Sequence, residues 1–215
     1  AYEIYQCDWS SDVCSSDLYE PHAGRRSVLA KIEGSDPNAP GLMLMGHTDV
    51  VPVNPDTWSR DPFGGELEDG VVWGRGAVDM LNLTASMLVA FRRLADSGFR
   101  PKGTLSYLAV ADEEASGTYG AEWLLDHEHD AVRTENVITE SGGFQMGSRG
   151  GIRLPVMVEE KGAMWSKLTV KGTPGHGSQP HRTDNAVLKA AQIVQRIGTY
   201  RPPARVSETW RRFVE

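Results

Sequence analysis

The chain has 215 residues, 40% of them hydrophobic and 24% charged, which suits one or two packed domains. Its net charge of −7 argues against nucleic acid or an anionic membrane as partner, and no apolar run approaches the roughly 18 residues of a membrane span. Two cysteines, Cys7 and Cys14, supply neither a disulfide framework nor a zinc knuckle, and with no signal-peptide pattern at the front the expected location is the cytoplasm.

Residues 1–20, AYEIYQCDWSSDVCSSDLYE, have neither strand nor helix periodicity and read as a disordered or non-native leader. Order begins with SVLAKIEG from Ser27, which alternates like a strand, followed by the loop SDPNAPG. The apolar run Leu42 to Met45 is a buried strand that ends in Gly46, His47, Thr48 and Asp49. Residues two apart on a strand share a side, so His47 and Asp49 project together from its end. They read either as a metal ligand with its supporting carboxylate or as a polar pair that closes the strand. A loop-like stretch follows, with a hairpin around Glu68-Asp69-Gly70. Its aromatics Trp58, Phe63 and Trp73 read as packing or as a wall over a site.

Gly76 to Met80 opens a helix over about Leu81 to Leu94, with Met80, Leu83, Met87, Leu88 and Phe91 at helical spacing and Gly98 at the stop. Asp79 therefore stands at a helix start, where an N-cap carboxylate is the plain reading. TLSYLAV, Thr104 to Val110, is a strand that runs into Asp112, Glu113 and Glu114. Three acids at a strand end repel one another unless something positive sits beside them. A helix is expected over Thr118 to His127, then the short strand NVIT, which ends in Glu140.

After Gly150-Gly151 the texture changes. IRLPVMVEEKGAMWSKLTVKG reads as two strands joined near Lys161-Gly162, GTPGHGSQP as a tight turn carrying His176, and Asn185 to Ile197 as an amphipathic helix. The expected fold class is α/β. A catalytic domain with a mainly parallel mixed sheet flanked by helices takes residues 21–158. The start of a smaller α+β, ferredoxin-like lid or dimerisation domain takes 159–215.

Strand ends thus deliver His47 and Asp49, Glu113 and Glu114, and Glu140, while a helix start supplies Asp79. They recur at intervals of about thirty residues, as α/β crossovers require. One histidine with carboxylates and no cysteine suits zinc or another borderline-to-hard divalent ion. In a two-metal site one carboxylate bridges, and a base stands beside the metals to take the proton of water. Adjacent glutamates can divide those tasks.

The motifs GHTDVVPV, GRGAVDM, ADEEASGTYG, TESGG and KGTPGHGSQP resemble the dinuclear zinc amidohydrolases that include aminoacylase, carboxypeptidase G, carnosinase-like dipeptidases and succinyl-diaminopimelate desuccinylase. Five separated motifs agree in order over roughly residues 22–200. The resemblance implies two zinc ions, with cobalt or manganese as substitutes. His47 and Glu140 would bind the first, Glu114 the second, and Asp79 both. Asp49 would orient His47, Glu113 would be the general base, and His176 would reach into a partner subunit's site to hold the oxyanion. The implied reaction is hydrolysis of an amide bond in a dipeptide or N-acyl amino acid by a homodimer joined through the lid domain. An N-deacetylase or desuccinylase of an amino-acid metabolite is the alternative within the family, and a non-catalytic relative the alternative outside it.

The family's second zinc takes a further histidine from a later part of the catalytic domain. His181, His127 and His129 are poor substitutes for it: the first lies in the lid segment, and the others read as solvated surface at a helix end. The resemblance therefore implies a piece of a longer protein, with weak or no activity expected from these 215 residues alone.

Overall fold

A computed structural model describes residues 15–214 apart from Gly143, Arg149, Lys161, Ala163, Pro180 and Arg182. The chain divides into two compact units, Ala1–Gly142 and Gly143–Glu215. The division falls earlier than the 158/159 boundary expected from the sequence.

The first unit is built from β1 (Ser15–His22), β2 (Arg25–Ile32), β3 (Leu42–His47), β4 (Glu66–Glu68), β5 (Val71–Trp73), α1 (Leu81–Asp96), β6 (Leu105–Val110), α2 (Ala121–His127), α3 (His129–Val132) and β7 (Asn136–Ile138). Five strands form one mixed sheet in the order β1-β2-β6-β3-β7. β1–β2 and β2–β6 pair antiparallel, while β6–β3 and β3–β7 pair parallel. The expected α/β class, with a mixed sheet flanked by helices, is therefore observed.

Alternation along the strands sorts the core into two faces. Leu44, Leu105, Tyr107 and Ala109 point to one side, where Phe91 and Ala95 of α1 cover them. Met43, Leu108 and Val110 point to the other, under Leu124 of α2 and Val132 of α3. β6 is buried at all six positions, as a strand covered on both faces must be. Fully burying each of Leu29, Ile32 and Phe91 contributes about 1.5–3 kcal/mol. The chain passes from β3 through α1 to β6, then back across β3 through α2 and α3 to β7. Right-handed crossovers running in opposite directions place their helices on opposite faces, as seen here.

Two local features differ from the sequence reading. Ser15 to Tyr19, read above as part of an aperiodic leader, are paired as strand in β1. An edge strand is held by its backbone ladder, so its mostly exposed side chains need no apolar alternation. The buried stripe of α1 consists of Thr84, Phe91 and Ala95, with Met87 and Leu94 half-buried beside it. Leu83 and Leu88, expected on that stripe, are about two-fifths exposed, at 41% and 40%. The expected hairpin is present: Glu68 pairs with Val71, and Asp69 and Gly70 both take positive φ (50° and 79°), as a two-residue type I′ turn requires. Two aromatics of this region carry guanidinium groups, Arg60 at 4.8 Å over Trp73 and Arg75 at 5.3 Å over Trp58, while Phe63 is exposed.

The second unit contains the hairpin β8 (Met146–Ser148) and β9 (Gly151–Arg153) and the helices α4 (Ala186–Thr199) and α5 (Glu208–Val214). The helix expected over Asn185 to Ile197 is α4, capped by the Asn185 side chain on the Val187 and Leu188 amides. Of the two strands expected over Ile152 to Gly172, Ile152 and Arg153 fall in β9, while among the described residues of 154–172 no strand is paired. The alternating pattern is present, but a strand needs a ladder partner, and side chains such as Val156 and Trp165 stay exposed. The turn expected at Lys161-Gly162 and both cysteines involve residues outside those described.

Candidate metal centre

Parallel pairing brings the carboxyl ends of β6, β3 and β7 to one edge of the sheet, where α/β proteins place their sites. The start of α1 reaches the same edge, because the Thr84 hydroxyl donates to the His47 carbonyl at 2.9 Å. This approach requires Gly46. A Cβ there would lie 2.4 Å from Thr84 Oγ1 and 3.2 Å from the Thr84 Cα.

His47 is the buried centre of the group, 2% exposed. Its Nδ1–H donates to the Asp49 backbone carbonyl at 2.9 Å, which turns Nε2 toward the surrounding carboxylates. Around Nε2 stand Asp79 Oδ1 at 3.2 Å and Glu113 Oε2 and Glu140 Oε2, each at 3.8 Å. Glu114 joins the same cluster, with its ligand atom within 4.8 Å of those of His47 and Asp79. Six of the seven residues singled out in the sequence thus converge: His47, Asp79, Glu113, Glu114 and Glu140, with Asp49 beside them. Distance alone does not separate the proposed base from the ligands, since Glu113 approaches His47 as closely as Glu140 does.

The plain reading of Asp79 as an N-cap is not what the fold uses. The N-cap of α1 is Met80, with no side-chain capping bond, and the Asp79 carboxylate faces His47 instead. The Asp79–Met80 peptide is cis. Asp49 also has a place the sequence did not reveal. Its carboxylate lies 3.7 Å from His47 Nδ1 and accepts the backbone N–H groups of Glu113 and Glu114, both at 3.1 Å.

Asp112 was read only as one acid of a run. It is buried, its φ is 68°, it pairs with Arg25 at 3.3 Å, and it accepts the Tyr119 N–H at 3.1 Å. Arg25 is the positive group that three consecutive acids called for. Its pairing with Asp112 runs from β2 to the end of β6, and no local pattern reports that. Thr84 had a signal: it is a polar residue on the apolar stripe, four positions after Met80.

The electrostatics follow from crowding. Burial works against the charged form of His47, but the Asp49 carbonyl and the Asp79 and Glu113 carboxylates outweigh it and raise its pKa. Burial raises the pKa of Glu113, and Glu114, Asp49 and Asp79 add to that against the opposing effect of His47. Glu140 is raised by burial and by the neighbouring Asp79 and Glu113 carboxylates, against the opposing effect of His47. One imidazole among mutually repelling carboxylates is a donor set that fits a borderline-to-hard divalent cation, whose charge relieves the repulsion.

His176, in the second unit, is exposed. Its Nδ1 accepts the Ser178 N–H at 3.2 Å and lies 2.7 Å from Ser178 Oγ, so Nε2 carries the proton. His127 stacks on Trp123 at 4.8 Å, and His127, His129 and His181 are all exposed.

The model of peptidase family M20/M25/M40 matches residues 43–213, a span that contains all seven of the expected site residues. The chain belongs to this family. Among M20 relatives it is 36% identical over 185 residues to the N-fatty-acyl-amino acid synthase/hydrolase PM20D1 of Xenopus tropicalis, covering 83% of this chain and 36% of that protein. It is 36% identical over 162 residues to the succinyl-diaminopimelate desuccinylase of Parvibaculum lavamentivorans, covering 75% and 40%. An M20 metallo-carboxypeptidase from Sulfolobus solfataricus aligns in structure with a TM-score of 0.49 at 27% identity, covering 60% of this chain and 29% of that one. The chain spans about two fifths of the length of these curated relatives, 36% and 40%. M20 membership as a metallopeptidase family implies use of a divalent metal, in agreement with the donor set. Among the described residues, no helix is long and apolar enough to cross a membrane.

Proposed function

We propose that the chain takes part in the hydrolysis of an amide bond in a small substrate, an N-acyl amino acid or a dipeptide. The observation that carries this is the convergence at one sheet edge of His47, Asp79, Glu114 and Glu140 with Glu113 beside them. Two relatives favour the N-acyl arm, since their names refer to an N-fatty-acyl amino acid and to a succinyl group on diaminopimelate.

His47, Asp79, Glu114 and Glu140 would hold the metal, two zinc ions or cobalt or manganese in their place. When bound, the metal supplies polarisation of the substrate carbonyl and acidification of water. His47 would offer Nε2 because its Nδ1–H donates to the Asp49 carbonyl. Glu113 receives a proton from the attacking water as the new C–O bond forms. It passes that proton to the leaving nitrogen as the C–N bond breaks, giving an amine and a carboxylic acid. His176, supplied by the partner subunit of a homodimer joined through the second unit, would donate from Nε2 to the developing oxyanion. A lid or dimerisation domain within that unit and a cytoplasmic setting complete the proposal.

Glu113→Gln tests it. The variant is expected to keep cation binding and thermal stability while the turnover of an N-acyl amino acid that the unaltered protein shows, weak as it is expected to be, falls to the background rate, general-base loss costing about 10²–10⁴. Turnover equal to that of the unaltered chain removes Glu113 from the base's role.

A further inference from the structure

The two glutamates that the proposed function divides into ligand and base sit on a single turn, Glu113–Ala115. What sets the direction of that turn is not obvious from a loop rich in small residues. From the side of β3, the Asp49 carboxylate receives both of its leading amides, Glu113 N–H on Oδ1 and Glu114 N–H on Oδ2, each at 3.1 Å. From the other side, Asp112 begins the turn with a left-handed φ of 68° and a carboxylate that is nearly inaccessible to solvent. That carboxylate joins Arg25 of β2 at 3.3 Å and the Tyr119 N–H at 3.1 Å. The Asp112 carbonyl closes the loop by accepting Gly117 N–H at 2.6 Å and Ala115 N–H at 3.2 Å. A further anchor lies just upstream, where the Ala111 N–H donates to the buried Ser27 hydroxyl at 3.1 Å.

We infer that Asp49 and the Asp112–Arg25 pair are positioning residues that clamp the Glu113–Glu114 turn between β3 and β2, so that both glutamates are aimed before any metal or substrate binds. The inference rests on the reading of Glu113 and Glu114 as base and ligand. Asp49 acts on the turn through main-chain amides. Its carboxylate is farther from His47 Nδ1, at 3.7 Å, than the Asp49 carbonyl that Nδ1–H bonds, at 2.9 Å. The Asp112–Arg25 pair acts from outside the donor cluster, so its removal leaves every proposed ligand in the chain. An aimed turn spares the cost of ordering two acidic side chains at the moment of binding, which is how outer partners of a metal site raise its affinity.

The test uses the full chain with Asp112→Asn, Arg25→Gln, the double variant and Arg25→Lys. Amide exchange at Glu113 and Glu114 is followed by NMR in the metal-free state. Cobalt(II) is then titrated with its visible absorption as readout. Both single variants are expected to keep their far-UV circular dichroism, to exchange these two amides at least about tenfold faster, and to bind cobalt about 10- to 100-fold more weakly. The double variant is expected to be no worse than the weaker single, because the two residues act as one pair. Arg25→Lys keeps the charge and is expected to recover affinity. Folded variants with unaltered exchange and cobalt affinity overturn the inference, as does Arg25→Lys behaving like Arg25→Gln. Should Asp112→Asn fail to fold, the half-exposed Arg25 carries the test, and unfolding of both singles assigns the pair to stability alone. If the unaltered chain binds no cobalt but the variants still loosen the turn, the clamp stands and the metal reading fails.

Discussion

His47 is a metal-competent residue because of what surrounds it at atomic distance. Its Nδ1 proton is committed to a backbone carbonyl, and its Nε2 faces three carboxylates within 3.8 Å. The sequence showed the participants, since a histidine and four acids at successive strand and helix ends have no common bland explanation. It did not show that the Asp49 carboxylate grips the acidic turn, because hydrogen bonds from main-chain amides leave no mark on residue type. Gly46 belongs to the same scale. Gly46→Ala adds a methyl group 2.4 Å from Thr84 Oγ1, so either the hydroxyl tether to the His47 carbonyl breaks or α1 moves away from β3. Destabilisation of about 1–3 kcal/mol is expected in denaturant unfolding, and an unchanged midpoint would show that α1 tolerates the shift.

Helix α1 and strand β6 meet through Phe91 and Tyr107, whose ring centroids are 6.0 Å apart, and through the Tyr107 hydroxyl, which donates to the Thr84 carbonyl at 3.2 Å. Burial pushes the Tyr107 phenol from 10.0 up to about 12. The folded state therefore holds this proton more tightly than the unfolded one. Its contribution is fully present below pH 10 and is lost as the pH rises through about 12. The stability difference between the unaltered chain and Tyr107→Phe is expected to shrink across that window, and a constant difference would place the phenol in contact with solvent. At this scale the sequence was most legible where an apolar pattern and burial coincide, as in β3 and β6. It was least legible where backbone pairing acts without a side-chain pattern, as in Ser15 to Tyr19 of β1. The converse failure occurred at 154–172, where an alternating pattern is present and no ladder among the described residues takes it up.

At the scale of the molecule, every proposed ligand and the proposed base lie in the first unit, while His176 lies in the second. The first unit concentrates its carboxylates at one sheet edge, at the expense of mutual repulsion. A cation that binds only the folded state adds about 2.7 kcal/mol of stability at a free concentration one hundred times its Kd. Chelation is therefore expected to lower the melting temperature. The most direct measurement is a calorimetric titration of zinc into chelator-stripped protein, with Asp79→Ala beside it. Saturable binding that weakens by about tenfold or more in Asp79→Ala is the expected result. Absence of binding, or equal binding in the variant, would contradict a metal centre at this sheet edge.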